Sequence, residues 1–291
     1  MTDHSVCAVI VTFHPSMEMI EHINRVLSQV SGLVVVDNGS SAEELKALRT
    51  ASQPAGFTLI ENEENLGIAE ALNQGARWAK SSGYNWILLL DQDTKITDNF
   101  VCSMLQSWRE HPKRDSLASL HPRYVDIRGL EVRHKHVDEK GLVFSMTSGS
   151  LLPSWIFDEI GWFASEYFID YVDIEFCLRA RAAGFIIGES KHAVLYHSPG
   201  VPEVRRLLGI KSYCPSNHSP LRRYYFVRNR IATARRYFRK YPLWTLRDLL
   251  NTFKEVVKIL LGERNRRDKL EAMLSGAIDG VVGRMGKRQM S

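Results

Sequence analysis

The chain has 291 residues, 44% hydrophobic and 24% charged, which is an ordinary globular composition with enough apolar residues for a large core. The four cysteines (Cys7, Cys102, Cys177 and Cys214) form no Cys-x-x-Cys pair, which argues against a zinc site or a disulfide framework and is typical of a reducing cytoplasm. No signal-peptide pattern opens the chain, and no apolar run approaches about 18 residues. We therefore expect a cytoplasmic protein that is neither secreted nor membrane-spanning.

The net charge of +5 conceals a strong asymmetry along the chain. From Val204 to the end there are 21 Lys and Arg against 6 Asp and Glu, whereas the first 203 residues carry 17 basic and 27 acidic residues. Between Val204 and Lys240 lie 11 basic residues and no acidic one. This division predicts a first domain over residues 1–203 and a basic region over 204–291. It also indicates a polyanionic partner for the second region: nucleic acid, an anionic membrane surface or a phosphorylated lipid.

Strands and helices alternate through the first hundred residues. Apolar, mostly β-branched runs predict strands at 6–12, 33–36, 57–61 and 84–90. Apolar residues at helical spacing predict helices at 16–30, 42–51 and 68–82. Such alternation is typical of an α/β fold with a mostly parallel, doubly wound sheet whose loops gather at one edge.

After residue 97 the pattern is less regular. We predict helices at 100–110, 155–160 and 173–184, and extended segments at 116–121, 142–146, 147–153, 185–187 and 193–196. Arg128-Gly129 has the composition of a hairpin turn. The C-terminal region is predicted to be mostly helical, with helices at 221–241 and 244–261 followed by a polar end.

Two carboxylates, Asp91 and Asp93, follow directly on the apolar strand predicted at 84–90. A strand that ends in Asp-x-Asp places acidic oxygens at the rim of a sheet, where open α/β folds bind ligands. Hard cations such as Mg²⁺ favour these oxygens and share them with a substrate's phosphates. Surface turns also produce Asp-x-Asp, so the preceding strand is what makes the motif informative.

Further candidate ligands follow other predicted strands. Asp37 ends the second strand and could accept hydrogen bonds from a base or a ribose, although Asn38-Gly39 equally favours a plain turn. Asn65 and Gly67 precede a helix N-terminus, which is a favourable place for phosphate contacts but also an ordinary helix start.

A second acidic cluster begins the helix predicted at 173–184. One of Asp170, Asp173 and Glu175 could act as a general base, or Asp173 could simply cap the helix while Glu175 pairs with Arg179. His197 ends a predicted strand and could bind a metal, although a lone histidine is more often structural.

Five segments together resemble a known family. They are residues 9–14 (VIVTFH), 34–40 (VVVDNGS), 65–75 (NLGIAEALNQG), 88–94 (LLLDQDT) and 171–184 (YVDIEFCLRARAAG). In this order and spacing, they resemble the family 2 inverting glycosyltransferases of GT-A fold, and most closely the bacterial rhamnosyltransferases of surface-polysaccharide assembly. The similarity covers roughly residues 5–240. It implies a GT-A catalytic domain with a C-terminal helical extension.

The resemblance implies three sets of binding residues. Those for the nucleotide are Thr12, Asp37, Asn65, Gly67 and Asp91. Those for a Mg²⁺ or Mn²⁺ ion that bridges the diphosphate are Asp93 and His197. Those on the sugar and acceptor side of the cleft are Ser148, Gly149, Ser150, Glu175 and Arg179.

The resemblance also implies the reaction, a direct displacement that inverts the anomeric carbon. Asp173 matches the second residue of the family's Glu-Asp motif, which is its catalytic base. Val172 stands where the Glu usually lies, and this departure leaves room for Asp170 to share the task. The implied donor is dTDP-β-L-rhamnose, and the implied acceptor is an oligosaccharide on a polyprenyl diphosphate. Donors that carry galactofuranose, glucose or N-acetylglucosamine stay open.

A lipid-linked acceptor would give the basic C-terminal region a role at the cytoplasmic face of the inner membrane. Its basic residues are Arg222, Arg223, Arg228, Arg230, Arg235, Arg236, Arg239 and Lys240. They are interleaved with Tyr224, Tyr225, Phe226, Tyr237 and Phe238. This pattern favours contact with an anionic membrane surface or a lipid diphosphate. The C-terminal helices could also pair, so a homodimer stays open.

Two other classes of protein fit the sequence less well. A nucleic-acid-binding module would explain the basic region but not the acidic clusters at Asp37, Asp91 and Asp173, so we expect no nucleic acid partner. A sugar-nucleotide pyrophosphorylase would share the sheet, but that class opens with a glycine-rich phosphate loop. Here the first strand leads into Phe13-His14-Pro15-Ser16.

Overall fold

The structure is a computed structural model that describes residues 5–16, 18–126, 137–138, 141–197, 205–207, 210–213 and 218–288. The chain divides into two compact units, one of residues 1–165 and 176–197 and the other of residues 166–175 and 198–291. The C-terminal unit thus begins near the predicted boundary, but it also includes the segment 166–175, which we had placed in the first domain. The hairpin turn predicted at Arg128-Gly129 lies outside the described residues.

The described part of the first unit contains one nine-stranded sheet. Its strands are β1 Val6–Thr12, β2 Gly32–Asp37, β3 Thr58–Glu61, β4 Trp86–Asp91, β5 Leu117–Asp126, β6 Val137–Asp138, β7 Gly141–Leu142, β8 Leu151–Pro153 and β9 Ile186–His197. They are arranged in the order β3-β2-β1-β4-β8-β5-β9-β7-β6. Strands β1 to β4 run parallel, β8 is antiparallel to both β4 and β5, and β9 is parallel to β5. Because two antiparallel steps restore the direction, β1, β2, β4, β5 and β9 all end at the same edge.

Helices follow the parallel strands as the alternation predicted. They are α1 Met19–Leu27, α2 Ala42–Ala55, α3 Ile68–Ser81, α4 Phe100–Glu110, α5 Ile156–Ile160 and α6 Val172–Ala182, with 3₁₀ turns at Arg114–Ser116 and Ser165–Tyr167. All seven residues of β1 are buried, as expected for a central parallel strand that is covered on both faces. Local signals fix the helix ends: α2 begins with a Ser41–Glu44 capping box and ends at Gly56. The α/β class is confirmed.

Two strands predicted at 185–187 and 193–196 are in fact the single strand β9. The polar residues between them suggested a turn. Ser190 is buried, however, and its hydroxyl lies 2.7 Å from that of Ser107 on α4 while accepting a bond from the amide of Ala193 at 2.8 Å. These hydrogen bonds satisfy the polar group inside the sheet, so the strand continues. The extended segment predicted at 142–146 is also shorter, because β7 ends at Leu142.

In its described part, the second unit holds a short antiparallel pair, β10 Arg205–Leu207 and β11 Ile210–Tyr213, and three helices, α7 Pro220–Tyr237, α8 Pro242–Gly262 and α9 Arg266–Val282. The predicted polar end therefore contains a third helix. Its small residues allow close packing: a Cβ added at Gly276 would lie 2.4 Å from the carbonyl oxygen of Tyr224 on α7. Among the described residues, no helix is both long and apolar enough to cross a membrane.

Three arginines of the basic helix α7 do not lie on the surface where its composition predicted them, whereas Arg222, Arg235 and Arg236 are exposed. Arg223, Arg228 and Arg230 are all buried. Arg223 pairs with Glu255 and with Glu263, each at 2.7 Å. The carboxylates that pair with Arg223 and Arg230 come from α8 and from the residue that follows it. The prediction that these three arginines contact a membrane surface is therefore wrong.

Candidate active site

Three predicted ligand residues meet at the edge where the parallel strands end. Thr12, Asp37 and Asp91 are the last residues of β1, β2 and β4. Thr12 pairs with Asp37 in the β1–β2 register, and Val11 pairs with Asp91 in the β1–β4 register. The topology therefore places the three side chains on neighbouring strands at the edge where open α/β sheets bind ligands.

Asp37 is fully buried and holds the loop that follows β2. Its Oδ2 accepts hydrogen bonds from the hydroxyls of Thr12, at 2.7 Å, and Ser40, at 2.6 Å. Its Oδ1 accepts from the amides of Gly39, at 3.2 Å, and Ser40, at 2.8 Å. A carboxylate offers about four lone-pair sites, and these four donors occupy them. The geometry favours a role in shaping the loop over the predicted direct contact with base or ribose.

The loop after β2 is tied to the predicted phosphate-side residues. Gly39 has φ +93°, and a Cβ there would lie 2.6 Å from the carbonyl carbon of Glu64, so only glycine allows this approach. The Asn38 amide donates to Oδ1 of Asn65 at 3.1 Å, and the same oxygen accepts from the amide of Gly67 at 2.9 Å. Asn38, which the sequence predicts only as part of a turn, therefore also positions Asn65.

Asp91 and Asp93 both have exposed side chains at this edge. The residue between them, Gln92, exchanges two hydrogen bonds with the backbone of Phe13: its Oε1 accepts from the amide at 2.9 Å, and its Nε2 donates to the carbonyl at 3.2 Å. Gln92 therefore joins the loop after β4 to the loop after β1. It was not among the predicted site residues, because nothing local to it marks a partner so far away in the chain.

The pKa of Asp91 is raised to about 6, first by desolvation and then by the negative charge of Asp93. The exposed area of the residue suggests free access of water, whereas the crowding of protein atoms around its carboxyl suggests desolvation. The two observations are compatible, because the Asp91 carboxyl lies at a crowded strand end that is open to solvent on one side. Water on that side offsets part of the desolvation, so we rely on the upward direction of the pKa shift. A cation between the two carboxylates would relieve their repulsion.

The predicted sugar-side segment forms a turn beneath the end of β4. The hydroxyl of Ser148 accepts from the amide of Asp91 at 3.0 Å, and the amide of Gly149 donates to the carbonyl of Leu89 at 2.7 Å. Gly149 has φ +83°, a conformation that favours glycine. Ser148 and Ser150 are both buried. These contacts favour support of Asp91 over direct contact with the sugar.

His197 ends β9 at the same edge, and its backbone pairs with that of Asp126. An isolated bridge between Ile96 and Leu195 brings the chain just after Asp93 beside the end of β9. The side chain of His197 lies outside the described part of the structure. Among the described side chains, no group of three His, Cys, Asp or Glu residues could hold a metal ion. The metal-binding role of His197 stays a prediction.

The acidic segment before α6 belongs to the second unit and has an unusual backbone. Phe168, Asp170 and Tyr171 all have positive φ, between +62° and +66°, which is rare for residues other than glycine. Asn229 on α7 holds this segment, because its amide donates to the carbonyls of Ile169 at 2.7 Å and Asp170 at 2.9 Å. Asn229 is fully buried, and no motif of the sequence pointed to it.

Asp173 lies in the first turn of α6, as predicted, and is half-buried. Its Oδ1 accepts from the backbone amide of the next residue, Ile174, at 2.8 Å. Asp170 forms an ion pair with Arg222 at 3.2 Å. A backbone amide thus binds Asp173, and a cation pairs with Asp170.

The other two residues predicted on the acceptor side have interior partners. Glu175 is fully buried, pairs with Arg236 at 3.1 Å and accepts from the hydroxyl of Tyr237 at 2.8 Å. Arg179 donates to the carbonyl of Trp162 at 2.8 Å. These contacts favour structural roles for Glu175 and Arg179 over binding of sugar or acceptor.

Comparison with known proteins identifies the family. The family model described as glycosyl transferase family 2 matches residues 7–170, more than half of the chain. The chain belongs to this family. The match extends from β1 to the acidic segment before α6, so it includes Thr12, Asp37, Asp91 and Asp93.

Two curated relatives of this family 2 glycosyltransferase align over most of their length. The dTDP-rhamnosyl transferase RfbF of Shigella flexneri is 27% identical over 97% of both chains. The galactofuranosyltransferase GlfT1 of Mycolicibacterium smegmatis is 28% identical over 77% of this chain and 81% of its own. The relatives thus share the family but act with different sugars.

Solved structures support the fold of this family 2 glycosyltransferase. The mannosyltransferase PcManGT of Pyrobaculum calidifontis, solved in complex with GDP-Man and Mn²⁺, aligns with a TM-score of 0.59 at 11% identity, over 97% of this chain and 89% of its own. At this identity the likeness concerns the fold alone. The predicted GT-A fold with C-terminal helices is confirmed.

Proposed function

We propose that this family 2 glycosyltransferase transfers L-rhamnose from dTDP-β-L-rhamnose to an oligosaccharide on a polyprenyl diphosphate, with inversion, in surface-polysaccharide biosynthesis. The observation that carries the proposal is the alignment with a dTDP-rhamnosyl transferase over 97% of both chains. A lipid-linked acceptor would place the reaction at the cytoplasmic face of the membrane. The second candidate is a galactofuranose donor, which the similarity to GlfT1 favours over a shorter part of the chain.

The sheet edge of the first unit supports the binding of a nucleotide sugar. Four hydrogen bonds to Asp37 fix the loop after β2, and Gln92 fixes the loop after β1 through Phe13. Loops held in this way lose little conformational freedom when a nucleotide binds, so more of the contact energy appears as affinity. We expect the base and ribose to lie against these two loops.

Asp91 and Asp93 fit a divalent cation. They offer hard carboxylate oxygens at an exposed edge, where desolvation and, second, the charge of Asp93 raise the pKa of Asp91. We propose that they hold Mg²⁺ or Mn²⁺, with His197 as a further ligand. When bound, the ion would neutralise the charge that develops on the leaving nucleotide diphosphate.

We propose Asp173 as the base that takes the proton from the acceptor hydroxyl. Its place in the first turn of α6 favours the ionised form, because the helix dipole stabilises a negative charge there. Its bond to the Ile174 amide orients the carboxylate. The Asp170 carboxylate is instead engaged in an ion pair with Arg222.

A thermal-shift screen of dTDP, UDP, GDP and CMP, each with and without Mn²⁺, tests the donor. A nucleotide that binds the folded state raises the melting temperature by mass action. We expect the largest shift with dTDP and Mn²⁺, and we expect Asp93→Ala to remove the metal-dependent part. Asp98→Asn, a substitution at an exposed position nearby, is the control. A larger shift with UDP would contradict the rhamnose donor, and a dTDP shift unchanged by chelator would contradict the metal.

A further inference from the structure

Helix α8 leaves a long apolar stripe uncovered. Seven of its large apolar side chains are between 37% and 70% exposed. They are Leu243, Leu246, Leu250, Phe253, Val257, Leu260 and Leu261. Steps of three and four residues place them on one face of the helix. Folded proteins rarely expose so many neighbouring apolar side chains without a partner.

The opposite face of α8 packs within the second unit. Thr245 and Ile259 are buried, and the helix directs its two acidic residues to the arginines of α7. Asp248 pairs with Arg230 at 3.4 Å, and Glu255 pairs with Arg223 at 2.7 Å. The negative charges of α8 are thus neutralised on its inner face.

The exposed charges of α8 are all basic. They belong to Arg247, Lys254 and Lys258, which helical spacing places along one border of the apolar stripe. Exposed basic side chains also flank both ends of the helix: Arg239 and Lys240 precede it, and Arg264 and Arg266 follow it. An apolar face bordered by positive charge is what a helix needs to lie in the interface of a bilayer with anionic headgroups.

We propose that α8 docks this protein on an anionic lipid bilayer, with its axis in the plane of the interface and its seven apolar side chains among the headgroups and upper acyl chains. A second copy of the chain is a poorer occupant. Residues spaced by three and four could also form a coiled coil, but such pairs use opposite charges beside the seam. The exposed face of α8 offers Arg247 and Lys254 no acid. Docking does not depend on the donor or on catalysis.

Vesicle flotation with the full chain tests the proposal. The probes are vesicles of phosphatidylcholine alone and of phosphatidylcholine with phosphatidylglycerol at about 7:3. We expect strong binding to the anionic vesicles, weaker binding to the neutral ones, and a loss of the difference in high salt as charges are screened. Equal binding to both kinds of vesicle, or binding to neither, would overturn the proposal.

Two variants separate the apolar and charged contributions. Leu250→Gln with Phe253→Gln should weaken binding to both kinds of vesicle by at least about tenfold, because each removes apolar area from the interface. Arg247→Gln with Lys254→Gln should weaken binding to anionic vesicles by about 25-fold, at about fivefold per charge, and leave neutral vesicles unaffected. All four side chains are exposed, so the variants should unfold at the wild-type urea concentration.

A matched control lies in the same unit. Leu274 and Val281 on α9 are 65% and 59% exposed, and Leu274→Gln with Val281→Gln removes a similar apolar area. This pair should bind vesicles like the wild type, and an equal loss would overturn the assignment to α8. Light scattering tests the other occupant by measuring the molar mass in solution. If the protein is a dimer and the Leu250 and Phe253 substitutions dissociate it, then a second copy of the chain, and not a bilayer, covers the apolar face of α8.

Discussion

At the scale of single residues, Asp91 should lower the stability of the ligand-free protein. Its pKa is raised from 3.8 to about 6, so the folded state binds a proton more tightly than the unfolded state. The resulting loss of stability develops as the pH rises from about 4 to about 6 and is complete above that range. Asp91→Asn should therefore increase the free energy of unfolding at pH 8 and increase it less at pH 5, as measured by urea titration.

The control for this prediction is Asp98→Asn, which removes an exposed carboxylate from the segment after β4. Its effect on the free energy of unfolding should be small. If Asp91→Asn increased the free energy of unfolding more at pH 5 than at pH 8, this result would contradict the raised pKa of Asp91. Destabilisation at pH 8 would show that the carboxylate contributes to folding.

Asp173 and Asp170 should respond differently to the same substitution. Asp173→Asn keeps an acceptor for the Ile174 amide but removes the carboxylate that we propose as the base, so kcat should fall by roughly 10²- to 10⁴-fold with unchanged affinity for dTDP. Asp170→Asn should keep most of the turnover, since asparagine tolerates the positive φ and Arg222 already neutralises the aspartate. Equal losses of kcat in the two variants would mean that Asp170 and Asp173 share the role of base. Near-normal turnover of Asp173→Asn would exclude Asp173 from that role.

At the scale of elements, buried ion pairs connect α7 to the α8 region in the interior of the second unit. Arg223 lies between Glu255 and Glu263, and Lys269 of α9 adds a second cation to Glu263 at 2.8 Å. Arg223→Met would leave Glu255 without this partner and Glu263 with Lys269 alone. Because removing one member of a buried ion pair costs about 3–5 kcal/mol, we expect a loss of about 3 kcal/mol in urea unfolding.

The control for the ion-pair prediction is Arg239→Met, which changes an exposed arginine just after α7. It should alter the free energy of unfolding by less than about 0.5 kcal/mol. If Arg223→Met costs no more than this control, then the buried charges of α7 are better solvated than their burial indicates.

The elements also differ in how far the sequence predicts them. Strand β1 and helix α4 have the predicted bounds, because the pattern of apolar residues decides such segments. Strand β9 was divided in two, since the partner that satisfies Ser190 lies 83 positions away at Ser107. Helix α9 was not predicted, because glycine has a low helix propensity. The glycines of α9 instead allow its close packing on α7.

At the scale of the whole molecule, sequence predicts where the site lies better than what each residue does. Parallel strands end at one edge, so Thr12, Asp37 and Asp91 could be placed together without coordinates. Their contacts could not be predicted, because Gln92 meets Phe13 across 79 positions. The prediction from composition was least accurate in the basic region. There, carboxylates of α8 form ion pairs with arginines of α7 that are buried, although the sequence predicted them on the surface.

The central claim is the donor, and turnover measures it most directly. The enzyme would be given dTDP-β-L-rhamnose, UDP-galactofuranose, GDP-mannose or UDP-N-acetylglucosamine with a mixture of polyprenyl-diphosphate oligosaccharides and Mn²⁺. We predict that kcat/KM is at least about 100-fold higher for dTDP-β-L-rhamnose, which requires about 2.8 kcal/mol of discrimination in the transition state. The product should be an α-L-rhamnoside. Faster transfer from any other donor, or a β-linked product, would contradict the proposed function.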